Sequence, residues 1–167
     1  MKRDFYTVSV YVDKDDTLIG IPCGESAMYG IADIDTVLLL KAPYSPKEVE
    51  DFIEKVFDAC YTKKHNDNNP VSTIERYTKK KGFVAATADL TLISLVKTNN
   101  TISIMPTFND YEKGPLCIDD DERIIADPYT EGELYEHIHD IIMVYVKANA
   151  FYKEIAEAEA KKNKKSE

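Results

Sequence analysis

Apolar and polar residues alternate along four short segments, a pattern that predicts β-strands. Residues 6–22 hold two alternating runs around a polar turn at Asp13 to Asp16. Residues 91–106 hold two more, with Asn99-Asn100 between them. Because short polar turns between alternating runs are typical of antiparallel hairpins, the sequence predicts two β-hairpins.

The two hairpins belong to a longer internal repeat. The segment VSVYVDKDDTLIGIP at residues 8–22 aligns with LISLVKTNNTISIMP at residues 92–106, a shift of 84 positions. After a one-residue insertion the shift becomes 85, and PYS at residues 43–45 aligns with PYT at residues 128–130. The same order with a single gap predicts two copies of one unit. Each copy is predicted to contain a hairpin, a looser stretch, a third strand (about 36–41 and 122–126) and a helix.

The helix of each copy is predicted to begin with a capping box, in which two side chains bond free backbone N–H groups. Ser45 and Glu48 form the first box, and Thr130 and Glu133 form the second. Apolar residues then recur at helical spacing, which predicts one apolar stripe facing the sheet. The stripes are Val49, Phe52, Ile53, Val56, Phe57 and Cys60 in the first helix, and Leu134, Ile138, Ile141, Ile142 and Tyr145 in the second.

These elements predict an α+β fold, with a mainly antiparallel sheet formed by both copies and the repeat helices packed on it. A short connecting helix is expected to be capped by Ser72 and Glu75 and to end at Gly82. The predicted boundaries are one domain at 1–167, repeats at about 5–60 and 88–147, a connecting loop and short helix at 61–82, and a C-terminal helix extension with a Lys-rich tail at 148–167.

The charge favours a basic protein as the partner; the alternative interpretation is that the acidity only keeps the protein soluble. The net charge is −9, and since the last seven residues contribute +3, the rest of the chain carries −12. Such a chain repels nucleic acid, which is bound through clustered Lys and Arg. No apolar run approaches the roughly 18 residues of a membrane span, and no signal-peptide core is present. Three scattered cysteines do not suggest a disulfide framework, so we expect a cytoplasmic protein that binds no membrane and no nucleic acid.

The sequence contains no recognisable catalytic or metal-binding arrangement. No glycine-rich phosphate loop opens a helix, and no cysteine pair has the spacing of a zinc site. His137 and His139 are two positions apart on a helix and point to different faces; His137 is expected to be half-buried and His139 exposed. Cys60 and Cys117 are expected in the core, while Cys23 is expected in a loop, where it could be reactive. We predict no cofactor, no metal and no enzymatic activity.

Acidic residues before the third strand of each copy are the candidate partner-binding group. The run from Asp119 to Glu122 lacks the spacing and central glycine of an EF-hand loop, so it is not predicted to bind calcium. It is interpreted as a solvated turn whose like charges a basic partner would relieve. The candidates are Asp119, Asp120, Asp121, Glu122, Asp110, Glu112, Asp33 and Asp35.

The second half resembles a known family. Tyr77 to Gly82 closes a short helix, a strand at 91–97 and its hairpin lead to Ile-x-Ile-x-Pro at 102–106, and Gly114 precedes the acidic run, a strand and a helix. This rhythm resembles the CdiI-like immunity proteins of bacterial contact-dependent growth inhibition systems. The resemblance covers most of the chain but includes no invariant site motif.

The resemblance implies an intracellular protein that binds and neutralises one cognate toxin domain, often a nuclease. It carries over no catalytic residue, and no contact residue can be transferred by motif. The alternative function is a small-molecule-binding regulator or minor enzyme with a pocket between the two repeats.

Overall fold

The computed structural model describes residues 3–166. It has a mixed α+β fold in which helices pack on a curled antiparallel sheet. The strands are β1 (Tyr6–Val12), β2 (Leu18–Ser26), β3 (Gly30–Asp33), β4 (Leu38–Leu40), β5 (Thr91–Lys97), β6 (Thr101–Asp110), β7 (Gly114–Cys117) and β8 (Arg123–Ala126). The helices are α1 (Pro46–Ala59), α2 (Thr73–Thr78), α3 (Phe83–Thr87), α4 (Glu133–Ile141) and α5 (Lys147–Lys165), with a 3-10 turn at Asp119–Asp121 and a π-helical segment at Ile142–Val146.

The sheet has the order β3-β2-β1-β5-β6-β7, and β4 and β8 pair with β2 and β6. All pairings are antiparallel. β4 and β3 pair with successive parts of β2, so together they form one interrupted edge; β8 and β7 form the opposite edge along β6. The predicted α+β fold and mainly antiparallel sheet are confirmed.

The predicted third strands are present as β4 and β8, but the looser stretches before them contain the unpredicted strands β3 and β7. A side chain at the turn between β2 and β3, and another at the turn between β6 and β7, explain why the chain folds back at these positions. Ser26 Oγ accepts the backbone N–H of Tyr29 at 2.9 Å, and Asp110 Oδ1 accepts that of Lys113 at 2.9 Å. Since these bonds replace backbone turn bonds, β2 and β6 continue directly into further hairpins.

The helices α1 and α4 cover one face of the sheet. Their apolar stripes are buried as predicted, except that Tyr145 is only half-buried. Side chains from β1, β2, β5, β6 and β8 meet them in one large core. Burying one large aliphatic side chain contributes about 1.5–3 kcal/mol, so this core is the main source of stability.

The opposite face is covered in part by α2 and α3, which connect the two halves of the chain. Ile74 and Ala86 pack there with Leu90 against Tyr11 and the isoleucines of β2. Arg76 on α2 also pairs with Asp35 beside β3. The connecting segment therefore covers mainly the first half of this face.

The strand registers correct the predicted alignment of the two halves. Val8 pairs with Pro22, and Ile93 pairs with Pro106. Val8 therefore corresponds to Ile93, a shift of 85, whereas the predicted shift of 84 matched it with Leu92. The physical reason is side-chain direction: Val8 and Ile93 lie in the large core, while Leu92 faces the other side of the sheet. A one-residue slip exchanges the two faces of a strand, so the prediction was wrong for β1 and β5.

The residue that accounts for this difference lies in the first hairpin turn. Five residues separate the paired Val12 and Leu18, but only four separate Lys97 and Ile102. From the start of β2 to Ile34, and from the start of β6 to Ile118, the shift of 84 holds. The Ile34 N–H donates to the carbonyl of Pro22, and the Ile118 N–H donates to the carbonyl of Pro106. Both halves contain the same ordered elements; the repeat boundaries themselves stay a prediction.

The beginnings of the helices agree only in part with the predicted capping boxes. The boxes of Ser45–Glu48 and Ser72–Glu75 are present. In the second repeat the Glu133 carboxylate accepts the Thr130 N–H at 3.0 Å. The helix α4, however, begins at Glu133, and the residue before it is Gly132, which has no side chain that could cap the helix. The helix α2 ends at Thr78, and Gly82 precedes α3 instead of ending α2.

Instead, α4 is capped by a side chain from α1. The carboxylate of Glu50 accepts the backbone N–H of Gly132 and that of Tyr135, each at 3.1 Å. Glu50 is 6% exposed and stands in the interface between the two helices. Because a carboxylate is favourable at a helix N-terminus, this contact fixes α4 against α1.

The last helix continues as predicted, and it reaches further than expected. α4 leads through the π-helical segment into α5, which includes the lysines up to Lys165. Among the helices of residues 3–166, none is both long and apolar enough to cross a membrane.

Candidate partner-binding surface

The run from Asp119 to Glu122 interrupts the edge strand between β7 and β8. Asp119 and Asp120 lie in the 3-10 turn with exposed side chains. Ile118 anchors the turn through its backbone bond to Pro106 in β6. The turn thus presents two carboxylates to solvent at this edge of the sheet.

The carboxylate of Asp121 is bound by other side chains, whereas a solvated turn would leave it exposed to water. Its carboxylate accepts a hydrogen bond from Arg123 Nη2 at 3.0 Å and another from the Tyr145 hydroxyl. Arg123 also reaches Asp140 at 2.7 Å and the carbonyl of His137 at 3.3 Å. The bond from Arg123, followed by that from Tyr145, lowers the pKa of Asp121. Asp121 therefore helps to hold β8 against α4 and the π-helical segment.

Glu122 points toward the other side of the sheet. Its carboxylate accepts a hydrogen bond from the hydroxyl of Ser103 on β6. Neighbouring residues of an extended chain point to opposite faces, and Glu122, the extended residue before β8, lies opposite Arg123, which contacts α4. The interpretation of the four residues as one solvated group was wrong: only Asp119, Asp120 and Glu122 are exposed.

Asp110 and Glu112 lie at the turn between β6 and β7. The Asp110 carboxylate accepts the backbone N–H groups of Glu112 and Lys113, both at 2.9 Å, and these bonds lower its pKa. Asp110 is thus occupied in shaping the turn. The side chain of Glu112 is exposed.

Asp33 and Asp35 lie beside β3. Asp33 ends the strand and is half-buried; burial raises the pKa of its carboxyl to about 6, and the nearby His65 opposes this shift. Asp35 is exposed but pairs with Arg76 at 3.1 Å, and its carbonyl accepts a bond from Lys63 Nζ at 3.0 Å.

The structure does not bring the two acidic groups together. β3 and β7 lie at opposite ends of the strand order, five steps apart. At about 4.8 Å per step, this is about 24 Å along the sheet. The two loops are related as the repeat predicts, but they form two separate acidic edges, and the one beside β3 is partly neutralised by Arg76.

The candidate nucleophiles and histidines form no catalytic arrangement in residues 3–166. Cys23 lies in β2 and is 1% exposed, so the expected loop position was wrong. Cys60 is buried as expected, whereas Cys117 is exposed at the edge strand β7, contrary to the expected core position. His137 is half-buried and His139 exposed, as predicted, and the His139 ring stacks on Tyr135. No group of three or more His, Cys, Asp or Glu side chains in the described residues could hold a metal ion.

A cleft of about 600 Å³ touches both halves of the chain. It lies between the turn after β1, the segment before β5, and α5. Lys153 on its wall pairs with Asp89, and Glu154 and Glu157 line the same side. These facing charges already compensate one another in part, so they point to no particular ligand. A small-molecule function stays a prediction.

No protein-family model and no curated protein matches the chain. Solved structures share its fold. A protein of unknown function from Neisseria meningitidis is 10% identical, with a TM-score of 0.64 over 87% of this chain and 99% of its own. A chain of the CdiA-CT/CdiI toxin and immunity complex from Yersinia pseudotuberculosis is 13% identical, with a TM-score of 0.59 over 82% of this chain and 95% of its own. At these identities the likeness concerns the fold.

Proposed function

We propose that this chain is an immunity protein that binds and neutralises a cognate bacterial toxin domain. It acts by binding and not by catalysis, in the cytoplasm. The toxin is a protein with a basic surface, as expected of a nuclease. Among the residues predicted to contact it, we favour Asp119, Asp120 and Glu122, because these three are exposed close together on one edge of the sheet.

The fold shared with a chain of the toxin and immunity complex is the observation that carries this proposal. The match covers nearly all of that chain, so the likeness includes the sheet and its helices and not only a common hairpin. The resemblance in sequence rhythm points to the same class. Two different features of the chain therefore support one function.

The charge supports a basic partner. The net charge of −9 speeds encounter with a positive surface and disfavours nucleic acid. A toxin that binds nucleic acid needs a basic surface, and an acidic inhibitor is complementary to it.

Expression of the gene immediately upstream tests the proposal, which expects that gene to encode a protein with a C-terminal toxin domain. This C-terminal domain would be induced in a susceptible bacterial strain with or without this chain. We expect growth arrest with the toxin alone, growth with both, and co-purification of the toxin with tagged chain. A toxin domain that arrests growth equally in both strains would contradict the proposal, provided that the chain is soluble in the cell.

A further inference from the structure

The sheet face opposite α1 and α4 is covered unequally in its two halves. In the first half α2 and α3 bury three large side chains, each no more than 1% exposed: Tyr11, Ile19 and Ile21. The residues at the same positions of the second half are only half-buried: Val96, Ser103 and Met105. The connecting helices thus leave an area of the second half without a cover.

This open face is formed by six side chains on neighbouring strands. The registers join Ser9 to Ser94 and Ser94 to Met105 in one row, and Val96 to Ser103 and Ser103 to Ile124 in the next. Three are small hydroxyl residues and three are apolar. Ile124 is 64% exposed, although the next residue on β8, Ile125, is buried in the large core. An apolar side chain of this size that is exposed on the edge strand β8, on the same face as the half-buried Val96 and Met105, is suited to contact with another molecule.

Negative charge lies at the border of the open face. Ser103 holds the Glu122 carboxylate over it, and Asp119 and Asp120 precede Glu122 on the same edge. None of the six side chains is charged. A surface that combines uncharged, partly apolar side chains with a charged rim is the usual composition of a protein interface.

The charge selects one occupant. A second copy of this chain would bring an equally acidic rim against Glu122, and nucleic acid would be repelled for the same reason. A protein with an apolar patch surrounded by Lys and Arg fits both parts of the surface. We propose that the open face is the docking surface for the basic toxin domain, an inference that rests on the proposed function.

The repeat supplies a matched control. Ile124 of β8 corresponds to Leu39 of β4, which is 46% exposed on the opposite edge and pairs with Ile19, as Ile124 pairs with Ser103. The variants Ile124→Lys and Leu39→Lys make the same charge change at equivalent positions. Binding to the immobilised, catalytically inactive upstream-encoded toxin domain would be measured for both and for the unmodified chain, with urea unfolding as the check of folding.

We expect Ile124→Lys to weaken binding by at least about 30-fold, the effect of losing an apolar anchor of an interface, and Leu39→Lys to change it less than about twofold. Equal affinities of the two variants would overturn the docking surface while leaving the proposed function intact. A chain that is dimeric without toxin, and monomeric as Ile124→Lys, would also overturn it because the face would then belong to a second copy. If the unmodified chain does not bind the toxin, it is the proposed function that fails.

Discussion

The carboxylate of Glu50 offers the sharpest test of how the helices are held together. Substitution with alanine removes the acceptor of two backbone N–H groups, those of Gly132 and Tyr135, at the beginning of α4. Each donor left without a partner costs about 1–3 kcal/mol, and loss of a helix cap costs about 0.5–2 kcal/mol. Because Gly132 and Tyr135 are themselves only half-buried, water can reach them in part. We therefore expect Glu50→Ala to lower the free energy of unfolding by about 2–3 kcal/mol.

Urea unfolding, followed by circular dichroism, measures this change. Asp51→Ala is the matched control, since Asp51 is the next residue on α1 and forms an exposed ion pair with Lys47; its effect should stay within about 0.5 kcal/mol. Glu50→Gln keeps one acceptor and should fall between the two. The reasoning is refuted if Glu50→Ala and Asp51→Ala have the same stability.

Three further predictions follow from single positions. Gly24→Ala should lower the free energy of unfolding by about 1–3 kcal/mol, because a Cβ there would overlap the backbone carbonyl of Lys63; an unchanged urea midpoint would contradict this. Burial raises the pKa of Asp33 from 3.8 to about 6, so the protonated carboxyl is favoured in the folded state. The free energy of unfolding is therefore higher at low pH and falls as the pH rises through about 4 to 6. Asp33→Asn should therefore be more stable than the unmodified chain by about 3 kcal/mol at pH 7 and by no more than about 0.5 kcal/mol at pH 4; equal stability at both pH values would contradict the shift. Reversal of Asp119 and Asp120 to Lys should slow toxin association at low salt and have little effect at high salt; an on-rate unchanged at low salt would mean that the toxin docks elsewhere.

Much of the fold could be predicted because its signals are local. Alternation predicted the strands of both hairpins, and helical spacing predicted the buried stripes of α1 and α4. The register of β5 could not be predicted, since Leu92 and Ile93 are both apolar and either could face the core. The cap of α4 was missed for a different reason: Glu50 lies far from α4 in sequence, and only the packing of α1 against α4 brings them together.

The candidate surface shows the same limit. Composition and sequence position identified the acidic residues, but not the directions in which their side chains point. Arg123 is two residues after Asp121, and this spacing was a local sign that the two could pair. Tyr145 reaches Asp121, and Asp140 reaches Arg123, only because the last helices pack against β8. The open face could not be recognised from sequence, because the half-polar alternation of β5 and β6 is the same whether or not a helix covers it.

A calorimetric titration of the purified upstream-encoded toxin domain with this chain tests the central claim most directly. The account predicts a one-to-one complex with a dissociation constant in the nanomolar range or below, as expected of an inhibitor that must neutralise its target. An absence of binding heat, together with separate elution of the two folded proteins on gel filtration, would contradict the account.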